Sequence, residues 1–362
     1  MSGRAVFRFA KFPLAVRRLA SMPERPRDTV VRASGGKKPE SMRTITLEEH
    51  FATPEVLKAS AELQSPSRNN FVKAVEEKLL DLGKVRIADM DAAGIDLQVI
   101  SLTNAGLDKL DGPRATSLAR DSNDKLAAAV KTYPQRFAGF AALALQEPQK
   151  AAAELERCVQ KLGFKGVLIH GTTKGVFLDD PQFTPIFEAA QALDIPIYLH
   201  PTLPPKPVEE AYFSGLPGQL GFYLSTAAWG WHVETGLHCL RLIGSGLFDR
   251  FPKLNIIIGH MGEDLPFSIA RAESVLSRDT KHLKRKISEY FQEHFYITTS
   301  GYFTVPPFLC TLQVVGADRI LFSVDYPYSP NSIGRNFLNA LPVSTEDLGK
   351  ISHGNAERLL KV

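Results

Sequence analysis

The chain has 362 residues, 44% hydrophobic and 23% charged, an ordinary balance for a folded globular protein. No stretch approaches the roughly 18 consecutive apolar residues that a membrane-spanning helix needs, so no membrane partner is expected. The formal net charge of +4 is unevenly spread: residues 1–41 hold ten Lys/Arg against three Asp/Glu, leaving −3 on the remainder. A nucleic-acid partner needs basic residues gathered on the folded body, and this distribution excludes it.

Residues 1–23 carry Arg4, Arg8, Lys11, Arg17 and Arg18 and no acidic side chain. Arg4, Arg8, Lys11 and Arg18 fall on one helical face, the pattern of an organellar transit peptide, although Pro13 interrupts it. A disordered extension, or a true start at Met42, are the alternatives. Residues 24–41, rich in Pro, Arg, Gly and Ser, read as an unstructured linker. The expectation is a leader over 1–41 and one catalytic domain over 42–362. A cytoplasmic location is expected, with a mitochondrial one left open by the basic leader. Cys158, Cys239 and Cys310 are odd in number and form no CxxC pair, which argues against a disulfide framework and for small buried apolar residues.

From Arg43 onward, short apolar or β-branched runs alternate with helical stretches. The predicted strands are 43–51, 97–103, 137–143, 166–171, 195–201, 254–261, 295–301 and 320–327. Helical patterns fall between them, such as PQKAAAELERCVQKLG and PIFEAAQALD. Eight β-α alternations with near-continuous apolar strands predict a (β/α)₈ barrel of TIM type. Glu48, His50, His170, His200, His260, Ser300 and Asp325 sit at or near the C-terminal ends of six strands, the end of such barrels that carries chemistry. Residues 49–72 and 202–231 follow strands on that face and are candidate substrate-covering loops.

Glu48 and His50 are two residues apart on a strand and so share a face, with Glu49 pointing the other way. His200 ends an apolar strand and Asp325 ends another. Together they give two nitrogen and two oxygen donors, enough for one divalent metal with a position left for water or substrate. His260 is followed by Glu263, a carboxylate placed to orient the imidazole for proton transfer. Asp264 and Pro266 read as the start of a helix. Glu263, Phe267 and Arg271 are spaced by four, and Arg271 is either a pocket residue or a surface ion pair. His238 reads as packing, and His282, His294 and His353 as surface or helix-end residues.

The motifs EEHF, YLHP, WGWHVETGLHCLRLIGSGLFDRFPKLNIIIGHMGEDLPF, ITTSG and ILFSVDYP resemble the amidohydrolase-related aromatic acid decarboxylases, including the γ-resorcylate and 2,3-dihydroxybenzoate enzymes. The resemblance runs from about residue 43 to the C-terminus. It implies a metal held by Glu48, His50, His200 and Asp325, a proton-handling pair in His260 and Glu263, and Arg271 near the substrate. It implies one divalent ion, with Zn²⁺ expected first and Mn²⁺ or Mg²⁺ as alternatives, and no organic cofactor. The absence of a lysine at the end of the fourth strand points to a single metal. A homo-oligomer, dimer or tetramer, is also implied. His170 stands where the dihydroxybenzoate enzymes carry Asn, and Pro-Thr-Leu-Pro-Pro follows His200 where they carry Pro-Arg. His170 is therefore a candidate substrate contact or support for the site.

The implied activity is metal-dependent, non-oxidative decarboxylation of a hydroxylated aromatic acid, a carboxy-lyase reaction with Asp325 delivering the proton. The main rival is metal-dependent hydrolysis of a lactone or amide on the same barrel. A non-enzymatic barrel has no need of four convergent ligands.

Overall fold

The computed structural model describes residues 42–63, 70, 72–104 and 107–362; the expectations for residues 1–41 and for much of 64–71 lie outside them. All eight predicted strands are present: β1 (Ile45–Phe51), β2 (Leu97–Leu102), β3 (Phe137–Gly139), β4 (Val167–His170), β5 (Ile197–His200), β6 (Ile256–Ile258), β7 (Phe295–Thr298) and β8 (Ile320–Leu321). They run parallel in the orders β1-β2-β3 and β4-β5-β6-β7-β8. A parallel bridge between Ala141 and Val167 joins the two groups. Across the remaining seam, the His50 amide donates to the Tyr326 carbonyl at 2.6 Å. The ring of strands is a (β/α)₈ barrel.

Parity along each strand sorts side chains between two cores. Leu168, Tyr198, Ile257, Tyr296 and Leu321 point into the barrel. Their neighbours Ile169, Leu199, Ile258, Ile297 and Phe322 pack outward against the helices. The helices Pro148–Leu162 and Thr184–Leu193 lie where their apolar periodicity predicted. Gly163 ends the first of these in the left-handed region, at φ 74°, which glycine tolerates. Among the described residues, no helix is long and apolar enough to cross a membrane.

Two local departures position the chemistry. In β1, the register against β2 shifts between Leu47 and Glu49, and Glu48 takes φ 94°. Ile45 and Leu47 face the barrel interior, so strict alternation would send Glu48 and His50 outward. The bulge reverses the phase, and Phe51 packs in the outer core instead. At the end of β6 the chain leaves the strand in a tight turn, His260–Glu263, with His260, Met261 and Glu263 at φ 51°, 57° and 54°. Asp325 likewise has φ 73°. Left-handed non-glycine residues are strained, and Glu48, His260, Met261, Glu263 and Asp325 share one end of the barrel, as functional sites tend to show.

Candidate metal centre and active site

The C-terminal ends of β1, β5, β6 and β8 bring Glu48, His50, His200, His260 and Asp325 together. Donor atoms of Glu48, His50 and His200 all lie within 4.8 Å of one another, and all three residues are buried. His200 Nε2 is 3.2 Å from Glu48 Oε1, and His50 Nε2 is 3.2 Å from Asp325 Oδ1. His200 Nδ1 lies 2.8 Å from the Pro201 carbonyl, an acceptor, which fixes its proton there. His200 Nε2 is thereby turned toward a carboxylate oxygen. Glu48 Oε1 is buried and accepts no hydrogen bond. A divalent cation between Nε2 and that oxygen would give both a partner. The donor set, two imidazoles and two carboxylates, suits Zn²⁺ or Mn²⁺.

The other oxygen of Glu48 is saturated. Tyr198, Ser300 and Thr298 all donate to Oε2, Thr298 at 3.2 Å. Tyr198 rises from the interior layer of the barrel, so the hydrophobic core presents a hydroxyl to the site. These three hydroxyls orient the carboxylate so that Oε1 is left for a ligand. Burial alone would raise the Glu48 pKa, but the imidazoles of His260, His200 and His50 hold it well below the usual carboxylate range. Burial likewise opposes charge on His260, yet the carboxylates of Glu48 and Glu263 raise its pKa to about 10.

Glu263 is the centre of a second group. His260 Nδ1 lies 2.8 Å from its Oε1, and His232 Nδ1 lies 2.6 Å from its Oε2. The far nitrogen of His232 faces the Ala227 carbonyl at 2.9 Å. Both nitrogens of His232 therefore face acceptors. Burial raises the Glu263 pKa, and His260 and His232 outweigh it, leaving it lowered. The arrangement is a carboxylate holding two imidazoles, one of which turns Nε2 toward Glu48 at 3.4 Å.

A cavity of about 250 Å³ opens above these groups, lined by His50, His200, His260 and Asp325 and walled by Trp231, Tyr302 and Tyr328. No Lys or Arg is among its lining residues. Its size is just below the usual range for drug-sized ligands, and its walls suit one flat ring.

The expected residues do not all converge. Arg271 is exposed on the helix Leu265–Leu276, as is Phe267. Glu263 precedes that helix and is turned inward, so the shared face expected for Glu263, Phe267 and Arg271 does not form; the left-handed turn breaks the spacing. His170 does not line the main cavity. It lines a small adjoining pocket, with its ring 5.0 Å from that of His200. His238 is buried and accepts from the Leu178 amide at 2.9 Å. His294, expected at the surface or at a helix end, ends the helix Ile287–His294 and is buried there with its ring stacked 4.4 Å from Phe248. Cys158 and Cys239 are buried, whereas Cys310 is only partly so. Of the two candidate loops, 202–231 contributes Ala227 and Trp231 to the cavity. The residues between 49 and 72 that are described contain the helix Pro54–Leu63. The sequence reading missed His232, since nothing in GWHVETG separates it from a packing residue.

A barrel carrying this cluster at its C-terminal rim defines a metal-dependent (β/α)₈ enzyme. The chain belongs to the amidohydrolase family, whose profile matches residues 73–362. It is 41% identical over 329 residues to the gamma-resorcylate decarboxylase of Polaromonas sp. (strain JS666 / ATCC BAA-500), covering 88% of this chain and 98% of that one. A crystal structure of dihydroxybenzoic acid decarboxylase from Polaromonas sp. JS666, with bound manganese and the inhibitor 2-nitroresorcinol, superposes with a TM-score of 0.80. It is 40% identical and covers 88% of this chain and 97% of that one. The 5-carboxyvanillate decarboxylase of Sphingomonas paucimobilis superposes with a TM-score of 0.82 at 34% identity, covering 89% and 99% of the two chains.

Proposed function

We propose that this protein removes CO₂, without an oxidant, from a benzoic acid that carries a hydroxyl beside its carboxylate. It is a carbon–carbon lyase, a metal-dependent decarboxylase of hydroxylated aromatic acids. The observation that carries this reading is the cavity itself: imidazoles and the Asp325 carboxylate at its floor, aromatic walls and, among the described residues that line it, no Lys or Arg. A ring acid bound there meets its countercharge only at the metal ligands and His260. Relatives named as decarboxylases favour carbon–carbon cleavage over hydrolysis of a lactone or amide.

Glu48, His50, His200 and Asp325 are the proposed ligands of one divalent ion. When bound, that ion acts as a Lewis acid that neutralises the substrate carboxylate and the adjacent phenolic oxygen. The manganese in the Polaromonas structure makes Mn²⁺ the ion we would load first, ahead of the Zn²⁺ expected from the sequence. Trp231, Tyr302 and Tyr328 hold the ring and keep water from its faces. Asp325, when protonated, gives its proton to the ring carbon that bears the carboxylate. The carbon–carbon bond then breaks, its electron pair returns to the ring, and CO₂ leaves. Asp325 ends as a carboxylate and is reprotonated at the expense of solvent. His260, held by Glu263 and through it by His232, supports this transfer by keeping a proton beside the reacting carbon. The inhibitor of the Polaromonas enzyme carries a nitro group between two hydroxyls, the outline of 2,6-dihydroxybenzoate, which we propose as the first substrate to test.

We also propose a homo-oligomer. Tyr212, Trp229 and Phe267 are 75%, 55% and 89% exposed, a pattern that favours cover by another copy.

The test uses metal-depleted protein reloaded with Mn²⁺, Zn²⁺ or Mg²⁺, a panel of ortho-hydroxybenzoates, and Asp325→Asn as control. CO₂ release that requires the metal and is absent in the variant is expected. Tight metal binding with no CO₂ from any acid would contradict the reading.

A further inference from the structure

Glu49 is wholly buried, yet it is not among the residues assigned to metal or substrate. The bulge at Glu48 turns it away from the cavity and into the seam between β1 and β8. There Oε1 accepts from the Val324 amide at 3.0 Å and Oε2 from the Tyr326 amide at 2.8 Å. These are the amides of the residues on either side of Asp325: that of Tyr326 lies in the peptide directly after it, that of Val324 in the peptide one residue before the one that precedes it. One carboxylate thus grips the chain before and after a residue held at φ 73°. The direction of the Asp325 side chain depends on the peptide that follows it, which Glu49 holds, and the grip on Val324 anchors the chain leading into it.

The same seam explains why a side chain does this. Among the described residues, β1 and β8 form no ladder. The His50 amide reaches across to the Tyr326 carbonyl, and Ser323 Oγ donates to the Leu47 carbonyl. A buried carboxylate requires compensation, and Arg86, also wholly buried, lies on the same seam. Its Nη2 donates to the His50 carbonyl at 2.5 Å, and its guanidinium lies 4.8 Å from the Tyr326 ring.

We propose that Glu49 is a positioning residue for Asp325, acting on metal affinity and on proton delivery through that residue. Holding two N–H groups at once requires two acceptor oxygens. Glu49→Gln keeps the shape and one acceptor but presents an NH₂ group to the other amide, so one of the two grips is lost.

This inference rests on the proposed role of Asp325, and the test separates the two. Mn²⁺ affinity is read from the electron paramagnetic resonance of the free ion, together with kcat and KM. The proteins are the full chain, Glu49→Gln, Asp325→Asn and the double variant. The expected result is a roughly 10–100-fold loss of Mn²⁺ affinity in Glu49→Gln. Its kcat should fall more than its KM rises. In the Asp325→Asn background, the same substitution should change Mn²⁺ affinity by less than about twofold, because the residue it acts through is already gone. Equal losses in both backgrounds would mean that Glu49 only holds the seam, and the proposal would fall. An unaltered Mn²⁺ affinity in Glu49→Gln would also overturn it. Asp325→Asn with unchanged Mn²⁺ affinity and CO₂ release would remove both the role of Asp325 and that of Glu49. If Glu49→Gln does not fold by circular dichroism, Glu49→Asp, too short to reach both amides, enters the same cycle with the same expected outcomes.

Discussion

Replacing Gly259 by alanine isolates the geometry of the metal centre from everything else. Gly259 has φ −78°, a conformation that alanine adopts without strain, so the effect is steric. A Cβ built there lies 2.8 Å from Glu48 Oε2, 3.1 Å from its Oε1 and 3.1 Å from Ser300 Oγ. Ordinary contact begins at 3.4 Å, so the carboxylate must move by about 0.6 Å if the backbone holds. Metal–ligand distances tolerate about ±0.2 Å. The displacement also pulls Oε2 from the hydroxyls of Tyr198, Ser300 and Thr298. We expect Gly259→Ala to fold but to bind Mn²⁺ at least about 100-fold more weakly, roughly 2.7 kcal/mol. A Mn²⁺ titration followed by electron paramagnetic resonance, with circular dichroism as the folding control, measures this. A folded variant with an affinity within threefold of the parent would refute the argument.

Other changes separate neighbouring roles. Tyr198→Phe leaves Ser300 and Thr298 on Glu48 and should weaken Mn²⁺ binding by roughly tenfold, measured by the same titration. His232→Asn should lower kcat by at least roughly tenfold while leaving Mn²⁺ affinity within about threefold, because His232 lines the cavity and holds Glu263 but is not among the proposed metal ligands; equal loss of both would contradict this. The His238 pKa is depressed to about 3, mainly by burial, with Arg241 adding to the effect and Asp179 opposing it. Its folded value lies below its unfolded one, so the unfolded chain binds more protons and stability falls with pH below about 6.5. Between pH 6.5 and 5 this amounts to roughly 2 kcal/mol. In His238→Gln, which can still accept from the Leu178 amide, Tm should fall less over that interval, by several degrees; an unchanged slope would count against it.

What the sequence made legible follows the physics of parallel strands. Runs such as ILFSVDYP are apolar because both faces are buried, and a charged residue at their end stands out against that background. Glu48, His50, His200 and Asp325 were visible for this reason. The shared face of Glu48 and His50 was read correctly, but alternation alone points that face away from the core of Ile45 and Leu47. The bulge that reverses it leaves no mark in residue type. The left-handed turn after β6 was equally silent, and it is what separates Glu263 from Phe267 and Arg271. His232 was hidden because a buried histidine on a helix looks like packing until its partners are known. Glu49 looked idle because its function lies in two backbone amides far along the chain. Gly259 looked like any strand-end glycine, although its missing Cβ is what gives the Glu48 carboxylate its place.

The central claim, non-oxidative loss of CO₂ from an ortho-hydroxylated benzoate, is tested most directly by a product analysis in D₂O. Mn²⁺-loaded protein is incubated with 2,6-dihydroxybenzoate without oxygen, and CO₂ is counted against the phenolic product. The account predicts one CO₂ per product, one deuterium at the carbon that held the carboxylate, and no reaction in the metal-free protein. A product that has gained the elements of water, or consumption of substrate without CO₂, would contradict it.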